Sequence, residues 1–394
     1  MPISNFPNGF AAGLSVRGMP LLQMQTGQVF YVGNAPSTLV GQRQASNSNR
    51  GTFLDPFSTL HYAVNTVCVP GRGDIVFVLP GHAESIANAT TLLLQCSGVA
   101  IIGLGAGSAR PTFTFTTATS ANIPVAGANM SIQNCLFRAN FLSIASTFTG
   151  LSSTFTGVID SSGVITISAL TGTIYPGVAI TGTGVALNTM ITRQITGATG
   201  AAGTYKTNAT AAVSSATMIS NFKDFAIDNC EFRDLSSTLS FLTVFTFSST
   251  ANAGDGFNFT NNKVFGLGTV SPTCALITAV SEDRVNILDN VVISPTTAVT
   301  EGPALLATGA GDMTNVQIGR NKVRRPGVST TLPNAISTSA TAWTGNAFEN
   351  YVGTGASGAT GTWISAGTTL GFAQNFSVIT RAADKSGNLN PIGA

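Results

Sequence analysis

The feature that most constrains this chain is a short pattern that returns along it: an apolar residue, Asn or Cys three positions later, and a second apolar residue at the fifth. Copies open at Ile132, Ile227, Phe259, Ile287, Ile318 and Trp343. Their third-step residues are Cys135, Cys230, Asn262, Asn290, Asn321 and Asn346, and their fifth-step residues Phe137, Phe232, Val264, Val292, Val323 and Phe348. Successive openings lie 95, 32, 28, 31 and 25 residues apart. Self-similarity at a period of roughly 20–50 residues marks a stacked architecture. The local text alternates apolar and polar residues and lacks helical periodicity, so each repeat supplies strands. A single coil cannot bury its own inner face and is completed by the coils above and below. The expectation is an all-β fold, a right-handed parallel β-helix. Asn262, Asn290, Asn321 and Asn346 then stack as a ladder at one inner corner, and Cys135 and Cys230 continue it as small apolar substitutes. A β-sandwich or β-propeller is the alternative, but a propeller needs more even spacing, near about 40–45 residues.

The outsized first interval has its own cause. Residues 148–218 turn into Thr- and Gly-rich text, GVITISALTGTIYPGVAITGTGV and ITGATGAAGTYKTNATAAV. Without those 71 residues the interval shrinks to 24, one ordinary coil. They read as a small β-module inserted in a loop, its strands separated by turn residues at Ser161-Ser162-Gly163, Pro176-Gly177 and Gly200–Gly203. Near the N-terminus, Asp55-Pro56 predicts a helix start, with an N-cap acceptor followed by proline. Phe57, Leu60, Ala63, Val64 and Val67 would form its apolar face and let it cap the open end of the stack. Strands are expected over 75–79 and 99–102. The domain reading is an extended arm at 1–50, β-helix at 51–147 and 219–365, the module at 148–218, and a tail at 366–394.

The order GTFLDPFSTLHYAV, GDIVFVLPGHAESI, VAIIGLGAGSARPTF and then laddered coils resembles pectate-lyase-like β-helix proteins. The opening ISNFPNGFAAGLSVRGMPLL with QVFYVGN looks like a group of phage-encoded β-helix proteins, and the Thr-Gly segment is similar to a module of phage head and tail proteins. The resemblance implies a virion structural protein of capsid-decoration type. It also implies a homo-oligomer, with a trimer as the symmetric choice.

A glycosidase on such a fold needs two carboxyl groups at reaction distance, and a lyase needs clustered acids with a basic residue. The densest acidic group is Asp224, Asp228, Glu231 and Asp234. Aligning the repeats puts Glu231 beside Lys263, Asp289 beside Arg320, and Arg324 beside Glu349. Outward acids are thereby neutralised, and the chain is expected not to be an enzyme. Gly103–Gly107 is followed by a strand-like run, which fails the test for a phosphate loop. Arg72-Gly73-Asp74 reads as a turn, and His61 and His82 lack further ligands at metal spacing. No cofactor or metal is expected.

Charged residues make up 9% of the 394, and the net charge is +2. So balanced a chain lacks the clustered basic stripe of a nucleic-acid binder, and Lys322-Val323-Arg324-Arg325 reads as a solvated face. No run of 18 apolar residues would span a membrane. Five widely spaced cysteines suit buried free thiols and synthesis in a reducing cytoplasm. The role expected is a non-enzymatic bacteriophage head protein, docked by its arms and β-helix surface on the major capsid protein or other virion proteins. A tail spike or fibre that binds or cleaves surface polysaccharide is the alternative.

Overall fold

The computed structural model describes residues 15–16, 19–20, 27–35, 41–236, 238–266, 274–278, 280–293, 305–308, 311–325, 336–338, 343–354, 371–373, 375–380 and 387–392. They form a parallel β-helix. Sheet A has ten strands, from Val29–Val32 through Ile75–Val78, Ala226–Asp228 and Val316–Gly319 to Gly371–Ala373. Sheet B also has ten, from Ala83–Ile86 through Glu231–Asp234 and Lys322–Arg325 to Gly387–Ile392. Sheet C has six, from Ile123–Val125 to Ile336–Thr338. Every pairing within sheets A and C is parallel. Sheet B is parallel up to its last pair, where Gly387–Ile392 runs antiparallel to Asn375–Thr380.

The repeat produces this stack through alternation. Ile227, Phe259, Ile287 and Ile318 are in register in sheet A and wholly buried. In sheet B, Phe113, Phe137 and Phe232 stack face to face, with ring centroids 5.6 and 5.1 Å apart. Val264, Val292 and Val323 continue that inner row. Six of the turns from sheet A to sheet B are each made by one left-handed residue followed by the ladder residue. The left-handed positions are Asn134, Asn229, Asn261, Asp289, Arg320 and Glu349, with φ between 50° and 61°. Asn and Asp tolerate this conformation through local hydrogen bonds, whereas an Arg or Glu there costs about 1–2 kcal/mol that its contacts must offset.

The ladder forms, with one change of register. Asn262, Asn290 and Asn321 are wholly buried, and each backbone N–H donates to the side-chain oxygen of the next ladder residue. Cys230 joins the column by donating its N–H to Asn262 Oδ1 at 2.9 Å, and Cys135 lies one coil before it. Asn346 is not a member. Ile318 pairs with Ala347, so Asn350 occupies the corner, and Asn346 faces outward beside Gln317. Trp343 misled the alignment because it starts the same pattern four residues early; it is buried, but as a core residue outside the strand.

The termini differ from the expected arms. Val29–Val32 forms the first rung of sheet A, with Phe30 and Val32 buried, so residues 27–35 belong to the stack. At the other end Asn375 extends the ladder beyond Asn350. The rest of the expected arm and tail lies largely outside the described residues. Helical turns span Leu60–Tyr62 and Ala63–Val67, and Thr59, not Asp55, accepts from the helix at Tyr62 N. Asp55 instead accepts from Arg50 N and holds a loop along the edge of Val29–Val32, where Phe57 N donates to Tyr31 O and Gly33 N donates to Phe57 O.

Between Thr154 and Asn221 a six-stranded, all-antiparallel sheet interrupts the coils. Phe148–Gly150 belongs to sheet C, so the segment begins later than residue 148. It buries its own cluster, including Phe155, Ile165, Ile180, Tyr205 and Met218. It also rests on the helix, with Ser97 N donating to Gly177 O at 3.0 Å. Its exits meet, since Ser220 N donates to Ser153 O at 2.9 Å. A protein with a short glycine link replacing 154–219 is therefore expected to keep a cooperative thermal transition and parallel-β circular dichroism, at a lower Tm. Loss of all cooperative folding would show that the segment is integral to the helix core.

Candidate functional site

The acids singled out from the sequence do not converge. Asp224 sits at the turn from sheet C to sheet A, Asp228 on the outer face of sheet A, and Glu231 and Asp234 in sheet B. Asp228 accepts from Thr260 Oγ1 at 2.6 Å and Asn261 Nδ2 at 2.8 Å. Asp234 accepts from Phe241 N at 3.0 Å. Glu231 is in register with Lys263, yet its ion pairs go to Arg110, at 3.4 Å, and Arg233. Asp289 pairs with Arg320 through two bonds of 2.7 and 2.6 Å, as the alignment expected, and Arg320 holds the Asp289 carboxyl below its usual range. The third expected pair fails with the register, because Arg324 faces Gly353.

Other motifs take structural places. Arg72 forms a two-bond pair with the wholly buried Asp74, which also accepts from Gln28 N and Val69 N. The glycine turn is clamped by Asn134 Nδ2, which donates to Gly103 O and Gly105 O. His82 contacts Glu84 at 3.1 Å, and His61 Nδ1 takes the N–H of Leu93.

Two features emerge that the sequence reading missed. The first is a carboxylate corner where successive coils turn into sheet A. Lys223, Asp255, Asp283 and Thr314 each lie seven residues before a ladder residue, so the same register aligns them. Lys223 Nζ bonds Asp255 Oδ2 at 2.9 Å, and Asp255 Oδ1 accepts the N–H of Asp283 at 2.9 Å. Thr314 Oγ1 and Asn315 Nδ2 donate to Asp283 at 2.7 and 2.8 Å and hold its carboxyl below the usual range. Glu282 points inward, in register with the buried Met313. Only 1% exposed, it accepts from Gly254 N at 2.9 Å through Oε2, while Oε1 has no partner among the described residues. Burial pushes its carboxyl up to about 8, with Asp255 adding to the effect. Glu282 is thus held toward its protonated form on the inner face, while Asp283, the next residue, is held toward its charged form on the outer face.

The second feature is the outer face of sheet B. Because Phe137, Phe232, Val264, Val292 and Val323 point inward, their neighbours point outward. One outer row brings Arg138, Arg233 and Arg324 into line, with Phe265 and Ile293 between them. The next row carries Lys263, Val291, Lys322 and Tyr351. Arg138, Lys263, Lys322 and Arg324 have no carboxylate at ion-pair distance among the described residues. The face is basic and partly apolar, where the sequence reading expected neutrality.

A parallel β-helix is the class this architecture defines. No protein-family model matches the chain, and no curated protein does. Two solved structures are similar to it. One is titled a rhamnogalacturonan lyase, at 12% identity and TM-score 0.32, covering 87% of each chain. The other is a GH136 lacto-N-biosidase from Eubacterium ramulus, at 8% identity and TM-score 0.32, covering 90% of this chain and 68% of that one. The expectation that the chain is not an enzyme is corrected on this finding, because both structures are carbohydrate-active enzymes by title.

Proposed function

We propose that this chain is a right-handed β-helix carried on the outside of a bacteriophage particle, as a capsid-associated decoration protein. The helical turns at 60–67 cap one end of the stack, the antiparallel sheet is an inserted module, and the long sides do the docking. The observation that carries this reading is the outer face of sheet B. Four exposed or half-exposed cations, without carboxylate partners among the described residues, lie among Phe265, Val291, Ile293 and Tyr351 on one face of the sheet. A surface of this composition suits association, since its apolar rows gain from burial and its cations gain from acidic neighbours. The rest of the chain carries few charges to hold it apart from other proteins. Antibody against the purified chain, applied to intact particles of the phage that encodes it, should place gold on the heads. Gold confined to tails would move the assignment to a spike or fibre, and unlabelled particles would contradict a place on the virion surface.

A further inference from the structure

The carboxylate corner holds an amine and a carboxyl in a setting unlike that of a surface ion pair. Lys223 Nζ lies 2.9 Å from Asp255 Oδ2 and links two successive coils across 32 residues of chain. The Asp255 side chain is 11% exposed and that of Lys223 27%. Phe222, Phe225 and Phe257, close to the pair in sequence, are wholly buried, and the Phe222 ring lies against Gly254. Asp255 Oδ1 accepts the N–H of Asp283 at 2.9 Å, which fixes the carboxyl with Oδ2 toward the amine. Glu282, the other buried carboxyl of the corner, is held toward its protonated form and has an oxygen without a partner among the described residues. Lys223 and Asp255 are therefore one cation set against one anion, and losing both charges together leaves neither unpaired.

We propose that Lys223 and Asp255 condense to an isopeptide bond, a covalent rung between the coils that open at Ile227 and Phe259. Lys223 first passes a proton to Asp255 Oδ2, which leaves a neutral amine beside a neutral acid. The amine nitrogen attacks Asp255 Cγ, and the N–C bond forms. The bond from Cγ to Oδ2 then breaks, and that oxygen leaves as water with a second proton from the nitrogen. No oxidant or reductant is consumed. The Asp283 N–H sits on Oδ1, the oxygen that gathers negative charge during the attack. Groups held this way react at effective concentrations up to about 10⁵–10⁸ M, which a free amine and acid never reach. The neutral amide also escapes the desolvation cost that a buried ion pair carries. Burial, the largest cause of the raised Glu282 carboxyl, is unchanged by the bond.

The test is mass spectrometry of the full-length chain, folded at neutral pH and then denatured. Wild type should weigh less than its sequence by one water. Trypsin cannot cut after a joined Lys223, so digestion should release peptide 207–233 branched to peptide 234–263, with fragmentation placing the link at Lys223 and Asp255. Lys223→Arg keeps a cation for Asp255 and should show its full mass with unchanged circular dichroism. It should also melt at a lower temperature, because the 32-residue loop is no longer closed in the unfolded chain. Wild type at full mass, with 207–223, 224–233 and 234–263 recovered as separate peptides, would overturn the proposal. So would a lost water without the branched peptide, which marks an imide elsewhere, or a branch from Lys223 to another carboxyl such as Glu282.

Discussion

Replacing Glu282 with Gln is expected to stabilise the protein by roughly 3–5 kcal/mol at pH 9 and to change little at pH 4. Glu282 is 1% exposed, and burial raises its carboxyl from 4.5 to about 8. The groups around it are Gly254 N, which donates to Oε2, and Asp255 with its partner Lys223. Lys223 and the Gly254 bond favour the charged form, but burial and Asp255 outweigh them. A folded-state value above the unfolded one fixes the sign. The unfolded chain gives up this proton first, so the stability the protonated acid contributes is complete below about pH 4.5. It declines as pH rises from there and is fully lost once pH passes about 8. Gln keeps the acceptor for Gly254 and cannot ionise, so the variant should lack this decline. Urea midpoints of both proteins from pH 4 to 9 would show it, and parallel curves would mean that Glu282 is not held neutral in the fold.

Asn290→Leu is expected to cost about 2–5 kcal/mol. Asn290 Oδ1 accepts the N–H of Asn262 at 2.9 Å, and its Nδ2 donates to Phe259 O at 2.8 Å and Asn321 Oδ1 at 3.0 Å. Leucine leaves the Asn262 N–H buried without its partner, at about 1–3 kcal/mol, and removes the bonds to Phe259 O and Asn321 Oδ1, at about 0.5–1.5 kcal/mol each. The column shares its bonds from coil to coil, so the loss should spread to neighbouring rungs. A drop in urea midpoint with an unchanged m-value is the expected signature. A midpoint equal to wild type would mean that the ladder contributes nothing to holding the coils together.

The fold was legible because one spacing recurs. Intervals of 32, 28 and 31 residues between Ile227, Phe259, Ile287 and Ile318 align the buried rows and the ladder without any further information. The error at the last repeat came from side-chain size. Trp343 is a stronger apolar opening than Ala347, although Asn350 lies 29 residues after Asn321 and fits the earlier intervals better than Asn346 does. Arm-like composition hid the terminal rungs, since Val29–Val32 is too short to stand out among Gly, Asn and Gln. The carboxylate corner could have been found by carrying the same register seven residues upstream. Glu282 could not be recognised as buried from its neighbours alone, because Glu-Asp-Arg at 282–284 reads as a surface charge run. Only the pairing of Glu282 with Met313 turns its side chain inward. The basic face was missed for a related reason. Balanced totals of 18 Lys plus Arg and 16 Asp plus Glu conceal a segregation that appears only when coils are stacked.

The central claim, a parallel β-helix with one continuous inner corner from Cys135 to Asn375, is tested most directly by two substitutions four residues apart. Asn350 lies within the column, donating to Ile318 O at 2.8 Å and accepting from Asn321 N and Nδ2 at 3.1 and 2.9 Å. Asn346 is exposed on the outer face of sheet A. Urea unfolding of Asn350→Leu should show a loss of about 2–5 kcal/mol, and Asn346→Leu a change within about 0.5 kcal/mol of wild type. The reverse order, or equal effects, would contradict the register on which the ladder, the carboxylate corner and the basic face all depend.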